Sequence, residues 1–421
     1  PENFWDDSDP DLPQRTRNRG PGCLGRLVRW VVLLVLVAVL LHLAVDQYTQ
    51  RKLRRLLTVQ AVQPVHAAVP ADENAVTYYV QAVQELDDLL YHAEGAAPAR
   101  QALEPLLQNT FNNPPPTFTP EQVELLKRTV QAGESVWPTL LKAFEQPHFR
   151  SSYMERPMPE DMDQFETLPA AAHFALARAY VLGQDGDADG ACDALMIALH
   201  IALQFWQEDM LICGALGSAL AGETFTVARA IHEETPLTDA CMENFILATR
   251  TFRDPNRAFA QLQGERAYHY WVLENRKSKA GDTWRERLLR PLQGLVLLQV
   301  EGEYQRVFNA LKASNPAERD QLLEAKRGIP LLVHSGFGMT LRQFSFTAER
   351  YRLIELSFHV LLYRNQQGRY PDSLEEAAFE LPEDLNIAEF EVSRAEQYYY
   401  LKYLKSVPGD SAEQVVVFPL E

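Results

Sequence analysis

Nineteen residues, Leu27 to Val45, read LVRWVVLLVLVAVLLHLAV, and twelve in succession, Trp30 to Leu41, are apolar. A run of that kind must be covered by lipid or by a core large enough to hide it all round. At about 1.5 Å per residue it makes a helix of roughly 28 Å, close to the hydrocarbon thickness of a bilayer. Arg29 and His42, its polar interruptions, stand near enough to the ends to reach the headgroups. The expectation is a single transmembrane helix, with Leu27, Trp30, Leu41 and Val45 marking the anchor. A signal-peptidase site wants small residues one and three positions before the cut, and His42-Leu43-Ala44-Val45-Asp46-Gln47 has no such pair, so the segment is expected to be retained. Arg15, Arg17, Arg19, Arg26 and Arg29 precede it and Arg51, Lys52, Arg54 and Arg55 follow it, a near balance that barely sets orientation. In a bacterium the arrangement suits an inner-membrane protein with its amino terminus inside and its bulk in the periplasm.

Charge decides which partners the rest can have. The formal net charge is −17, and residues 56–421 hold 31 Lys/Arg against 51 Asp/Glu, a net of −20. That body repels nucleic acid and anionic lipid. Four cysteines, at 23, 192, 213 and 241, have no metal-ligand spacing. The last three fall in helical patterns and are expected as buried free thiols, although an exported domain could pair two of them.

Four regions follow from the patterning: a disordered tail over 1–25, a transmembrane and juxtamembrane helix over 26–60, an α-helical domain over 61–335, and a long helix plus a small α+β module over 336–421. The class is mainly α. Apolar residues recur at three and four positions from Asp72 through His92. Thr119-Pro120-Glu121-Gln122 is a capping box with Pro in the first turn, and Pro138 is expected to kink or divide the helix that follows. Residues 147–163 read as an ordered loop. Pro169 to Leu182 and Ala191 to Trp206 make a helical hairpin, its turn capped by Gly183 and Asp189. More helices are expected over 210–232, 236–252, 255–277, 282–290, 293–313 and 316–326. Stacked pairs of this kind are tetratricopeptide-like, without a fixed 34-residue period. Ser335-Gly336-Phe337-Gly338 reads as the turn before a long helix over 341–365. A second capping box, Ser373-Leu374-Glu375-Glu376, then precedes strands over 397–404 and 414–418, with a possible third over 388–393.

Two stretches carry a resemblance. Leu176 through Trp206 with Gly186-Asp187-Ala188-Asp189-Gly190-Ala191 at its turn, Asn74-Ala75-Val76-Thr77-Tyr78-Tyr79, and Gly264-Glu265-Arg266 resemble a group of membrane-anchored helical proteins typical of Planctomycetes-type bacteria, a group with no established activity. Leu362-Tyr363, then Gly368-Arg369-Tyr370-Pro371 and Leu374, resemble the helix-to-Gly-x-Tyr-Pro junction of type II secretion major pseudopilins. That second resemblance implies a long helix packed on a small antiparallel sheet. Physical reasoning agrees, since Gly368 suits a helix C-cap, Tyr370 can cover the junction and Pro371 forbids continuation.

Chemistry is thinly signposted. Asp185, Asp187 and Asp189 sit at positions one, three and five of a calcium loop with Gly190 at six, but position twelve is Met196, and an interhelical turn is the plainer account. Glu265 and His269 are one helical turn apart, as an acid/base pair would be, with no further ligand pair to complete a metal site. No GxSxG is present, and the aromatic residues Tyr268, Tyr270, Trp271 and Trp284 sit at spacings usual for a core. The expectation is an interaction or scaffold module with a protein partner and no cofactor. An envelope hydrolase using paired carboxylates, with Glu265 first, is the alternative, and a secretion-associated component a third.

Overall fold

A computed structural model describes residues 23–59, 69–108, 118–150, 163–254, 256–257, 259–266, 301–302, 304–306, 309, 334–377, 387–395, 397–404 and 415–419. It is mainly helical, with a three-stranded antiparallel sheet near the carboxyl end. The chain divides into two compact units, one holding helix α1 (Cys23–Val59) and the other every remaining element.

In α1, Val31, Leu34 to Val37, Val39 to Leu41 and Leu43 are each between 51% and 64% exposed. Successive residues of a helix point about 100° apart, so these positions take in every face. Leu27 and Trp30 lie on the same helix, outside the residues whose side chains are described.

The second unit begins with α2 (Ala75–His92), three residues later than the expected start, because Asn74 caps it and its Oδ1 accepts from the Val76 N–H at 3.2 Å. Short turns α3 (Ala99–Ala102) and α4 (Glu104–Leu107) follow. The Thr119 capping box starts α5 (Pro120–Ala132). The break before α6 (Trp137–Phe144) falls at Gly133, where a Cβ would lie 2.5 Å from Leu86 and Phe174, and Pro138 sits in the first turn of α6 instead of inside a helix. Residues 151–162 of the expected loop lie outside the described residues.

Helices α7 (Asp163–Gln184), α8 (Ala188–Gln207) and α9 (Leu211–Glu234) pack consecutively, and α2, α3 and α5 lie against α7. The α7–α8 turn differs from expectation. Gly183 lies inside α7, with Ile231 2.6 Å from where its Cβ would be, and the reversal comes at Gly186, φ +82°, with Asp187 capping α8 through Gly190 N–H at 2.9 Å. By length and composition α8 and α9 are apolar enough to cross a membrane, yet 61% and 67% of their apolar windows are buried inside this unit. Small residues permit that: a Cβ on Gly217 of α9 would stand 2.6 Å from the Ala202 carbonyl and the Trp206 nitrogen of α8.

Helix α10 (Asp239–Phe252) is tied to α8 by a Cys192–Cys241 disulfide, with Cα atoms 5.9 Å apart. The expected free thiols are thereby corrected, since α8 and α10 bring the two residues together across 49 positions and, of the three expected thiols, Cys213 stays free and buried. Of the helices expected between 255 and 326, residues 259–266 are helical and most of the remainder lies outside the described residues.

Helix α11 (His334–Gln367) begins earlier than expected. Gly336 and Gly338 are inside it and not in a preceding turn, a cost of about 1 kcal/mol each that a helix of 34 residues absorbs. It packs on α10 through Phe245 stacked on Phe358 at 4.9 Å and Phe252 stacked on Tyr351 at 4.9 Å. Glu355, wholly buried, accepts from Arg250 Nε at 2.9 Å and from Arg253 Nη1. Helix α12 (Leu374–Ala377) then leads to β1 (Phe390–Ala395), β2 (Tyr398–Tyr403) and β3 (Val415–Pro419), ordered β1-β2-β3. Phe390 pairs with Tyr403, and Leu401 with Val416. Tyr399, Leu401 and Tyr403 alternate onto the buried face.

Candidate functional site

A gathering of buried polar groups surrounds the turn between α8 and α9, Glu208 to Met210. Trp206 and Gln207 end α8, and their carbonyls need donors once the helix stops. Arg257 donates from Nε to the Trp206 carbonyl at 2.8 Å and from Nη2 to that of Gln207, and it pairs with Asp209 at 2.8 Å. Gln261 Nε2 adds a bond to the Trp206 carbonyl at 2.7 Å. A cation at a helix carboxyl terminus also opposes the helix dipole.

Glu208 turns inward, 4% exposed, and accepts from Arg150 Nη1 at 3.2 Å. Arg150 is held by Asn74, whose Nδ2 donates to the Arg150 carbonyl at 2.8 Å while its Oδ1 accepts from the Arg150 N–H at 3.0 Å. One turn thus joins the α2 cap, the segment after α6 and the segment after α10. Burial pushes the Glu208 carboxyl up to about 7; Arg150 and Arg257 pull it down and Asp209 raises it. The group therefore exchanges a proton near neutrality. Burial first, then Glu208 and Glu265, holds the Cys213 thiol well above its usual range, so it is a protonated, poorly nucleophilic thiol at neutral pH.

Glu265 is placed here by Gly264. A Cβ on Gly264 would stand 1.7 Å from the Asp209 carbonyl, so only glycine allows residues 259–266 to lie against the turn. Glu265 is half-buried and acts electrostatically on Cys213, while His269 lies outside the described residues. The sequence singles out Glu265 and passes over Glu208, because Glu208-Asp209 between two apolar helices reads as an ordinary solvated turn.

A second carboxyl, Glu233, is also pushed up to about 7, mainly by burial and against Arg229 and Arg364. Its neighbour His232 is pushed down to about 4 by burial, and its Nδ1 accepts from the Leu237 N–H at 3.2 Å. Glu208 and Glu233 stand at opposite ends of α9, roughly 37 Å apart along the helix, far beyond the roughly 5–10 Å over which paired carboxylates cooperate. Between them His173 Nε2 meets Glu223 Oε2 at 2.8 Å across α7 and α9.

The aspartates of the α7–α8 turn disperse. Asp185 pairs with Lys127 at 2.6 Å, Asp187 caps α8, and Asp189 sits in its first turn. Among the described residues no three His, Cys, Asp or Glu side chains stand close enough to hold a metal ion. Gly368 ends α11 at φ +67°, its N–H on the Arg364 carbonyl at 2.8 Å. Tyr370, 5% exposed, stacks on Tyr399 at 4.9 Å, and Pro371 leads on toward α12. Arg364 Nη1 donates to the Tyr370 hydroxyl at 3.0 Å, and Arg394 Nη2 to the Tyr370 carbonyl at 2.8 Å. These contacts fasten helix to sheet. In comparison with known proteins the chain matches no family model, no curated protein and no solved structure.

Proposed function

We propose that this chain is a single-pass membrane protein whose helical body serves as an interaction or scaffold module on the oxidising, periplasmic side of a bacterial inner membrane. The observation that carries the reading is α1, on which Val31, Leu34 to Val37, Val39 to Leu41 and Leu43 take in every face and are each at least half exposed. In water that surface is unfavourable by roughly 25 cal/mol for every Å² of apolar area, and lipid removes the penalty. The Cys192–Cys241 bond supports an oxidising compartment. Leu89 and Tyr91 on α2 and Leu141 and Phe144 on α6, two helices that pack together, are exposed apolar groups suited to a protein partner.

The test is alkaline carbonate extraction of membranes carrying the full chain and a variant lacking residues 1–59. The full chain stays in the pellet and the variant is released. Release of the full chain would contradict the anchor. Maleimide labelling of the folded and the denatured protein, before and after reduction, addresses the compartment: Cys192 and Cys241 stay blocked until reductant is added.

A further inference from the structure

Helix α1 is longer than any bilayer needs. Its 37 residues span roughly 55 Å, against a hydrocarbon thickness of roughly 30 Å, and it continues without a break from the apolar run through Val59. The residues just past the run change character abruptly. Asp46 is the one acid among residues 46–59, which also hold Arg51, Lys52, Arg54 and Arg55, a net of +3 on a chain whose residues 56–421 carry −20. Those four basic positions fall within an arc of about 160° on a helical projection, and Leu53, Leu56 and Leu57 occupy the complementary arc. Arg51 and Lys52 are exposed, and neither has a carboxylate partner among the described residues. Lys52 Nζ lies 5.8 Å from the ring centre of Tyr48, itself exposed, one turn nearer the apolar run. A tyrosine followed within a turn by unpaired cations is the arrangement of a helix leaving lipid through the headgroup layer.

We infer that the segment Tyr48 to Arg55 of α1 binds the anionic headgroups of phospholipids. This rests on the membrane reading of α1 and adds the class of lipid. Charge complementarity selects it: Arg51 and Lys52 have no carboxylate partner among the described residues, and phosphodiester headgroups with net negative charge supply one at the depth where the helix emerges.

The experiment reconstitutes the full chain in vesicles of mixed phosphatidylcholine and phosphatidylglycerol. Spin-labelled forms of each lipid then report which is held against the protein. The wild type prefers the phosphatidylglycerol label by about fivefold or more, and the preference falls as salt rises. A variant carrying Arg51→Gln, Lys52→Gln, Arg54→Gln and Arg55→Gln loses it, with an unchanged melting temperature of the body. Equal preference for the two lipids in the wild type, or an undiminished preference in the variant, overturns the inference. Carbonate washing of the same vesicles separates the two ideas. A wild type that stays inserted without lipid preference defeats the headgroup site alone, whereas one that washes off defeats the anchor and the site together.

Discussion

Helix α1 and the α8–α9 pair are built from similarly apolar sequence and meet opposite fates. In α1 the apolar positions are Leu and Val on consecutive residues, and nothing among the described residues covers them. In α8 and α9, alanines at 191, 194, 198 and 202 and glycine at 217 let backbones approach, so that Phe205, Trp206 and Phe225 disappear into one interior. Overall apolarity does not distinguish the two cases. The size of side chains at the contact does, because a close-packed core needs short residues where helices touch.

The comparison breaks most easily at Gly217. Gly217→Leu forces α9 away from α8 backbone atoms now 2.6 Å from the missing Cβ, and it should cost the body more than about 4 kcal/mol, read as loss of cooperative thermal unfolding, with membrane association intact. Reducing the Cys192–Cys241 bond, or replacing both with Ser, reopens a loop spanning 49 positions. Loop-closure entropy gives about 4 kcal/mol as its worth, and a fall in melting temperature of roughly 5 °C checks it by calorimetry. In α1 the pattern inverts: Leu40→Arg weakens insertion by roughly 3 kcal/mol, seen as partial carbonate release, and leaves the melting temperature of the body unchanged.

The α8–α9 turn sharpens the comparison through pH. Glu208 has its folded pKa raised to about 7 from an unfolded value near 4.5, so the folded state holds its proton more tightly. Its contribution is fully present below about pH 4.5 and is lost as pH rises through about 7, up to roughly 3 kcal/mol. Glu208→Gln therefore gains on the wild type at pH 8 and not at pH 4.5, less whatever Arg150 forfeits with its partner. Melting temperatures of the pair across that range decide it; parallel curves would remove the buried carboxyl from the account. The smallest effect belongs to Asp185 with Lys127, a half-exposed pair 2.6 Å apart, where Lys127→Ala should shift stability by less than about 1 kcal/mol. Millimolar calcium should leave the melting temperature where it was.

Local signals were legible in the sequence and distant ones were not. The Thr119 box, the Asn365-to-Pro371 ending of α11 and the strands around Tyr399 and Val416 depend on neighbours a few residues away, and each stands where the pattern places it. Gly183 and Gly186 show the limit. Both are plausible stops, yet α7 runs past Gly183, against which Ile231, 48 positions on, packs, and the chain reverses at Gly186. The disulfide needs α8 and α10 to meet, and Glu208 is a buried carboxyl whose hydrogen-bond donor, Arg150, lies 58 residues earlier. Glu265 was singled out for its helical spacing with His269, whereas what lies against its neighbour Gly264 is the turn at Asp209, a contact no local pattern specifies.

Amide hydrogen exchange of the full chain in vesicles and after detergent-free removal of lipid tests the contrast most directly. The account predicts slow exchange across Val31 to Leu43 only while lipid is present, and slow exchange across Ala194 to Ala202 and Leu220 to Ala230 in both conditions. Protection of α1 that persists without lipid, or protection of α8 and α9 that vanishes with it, would contradict it.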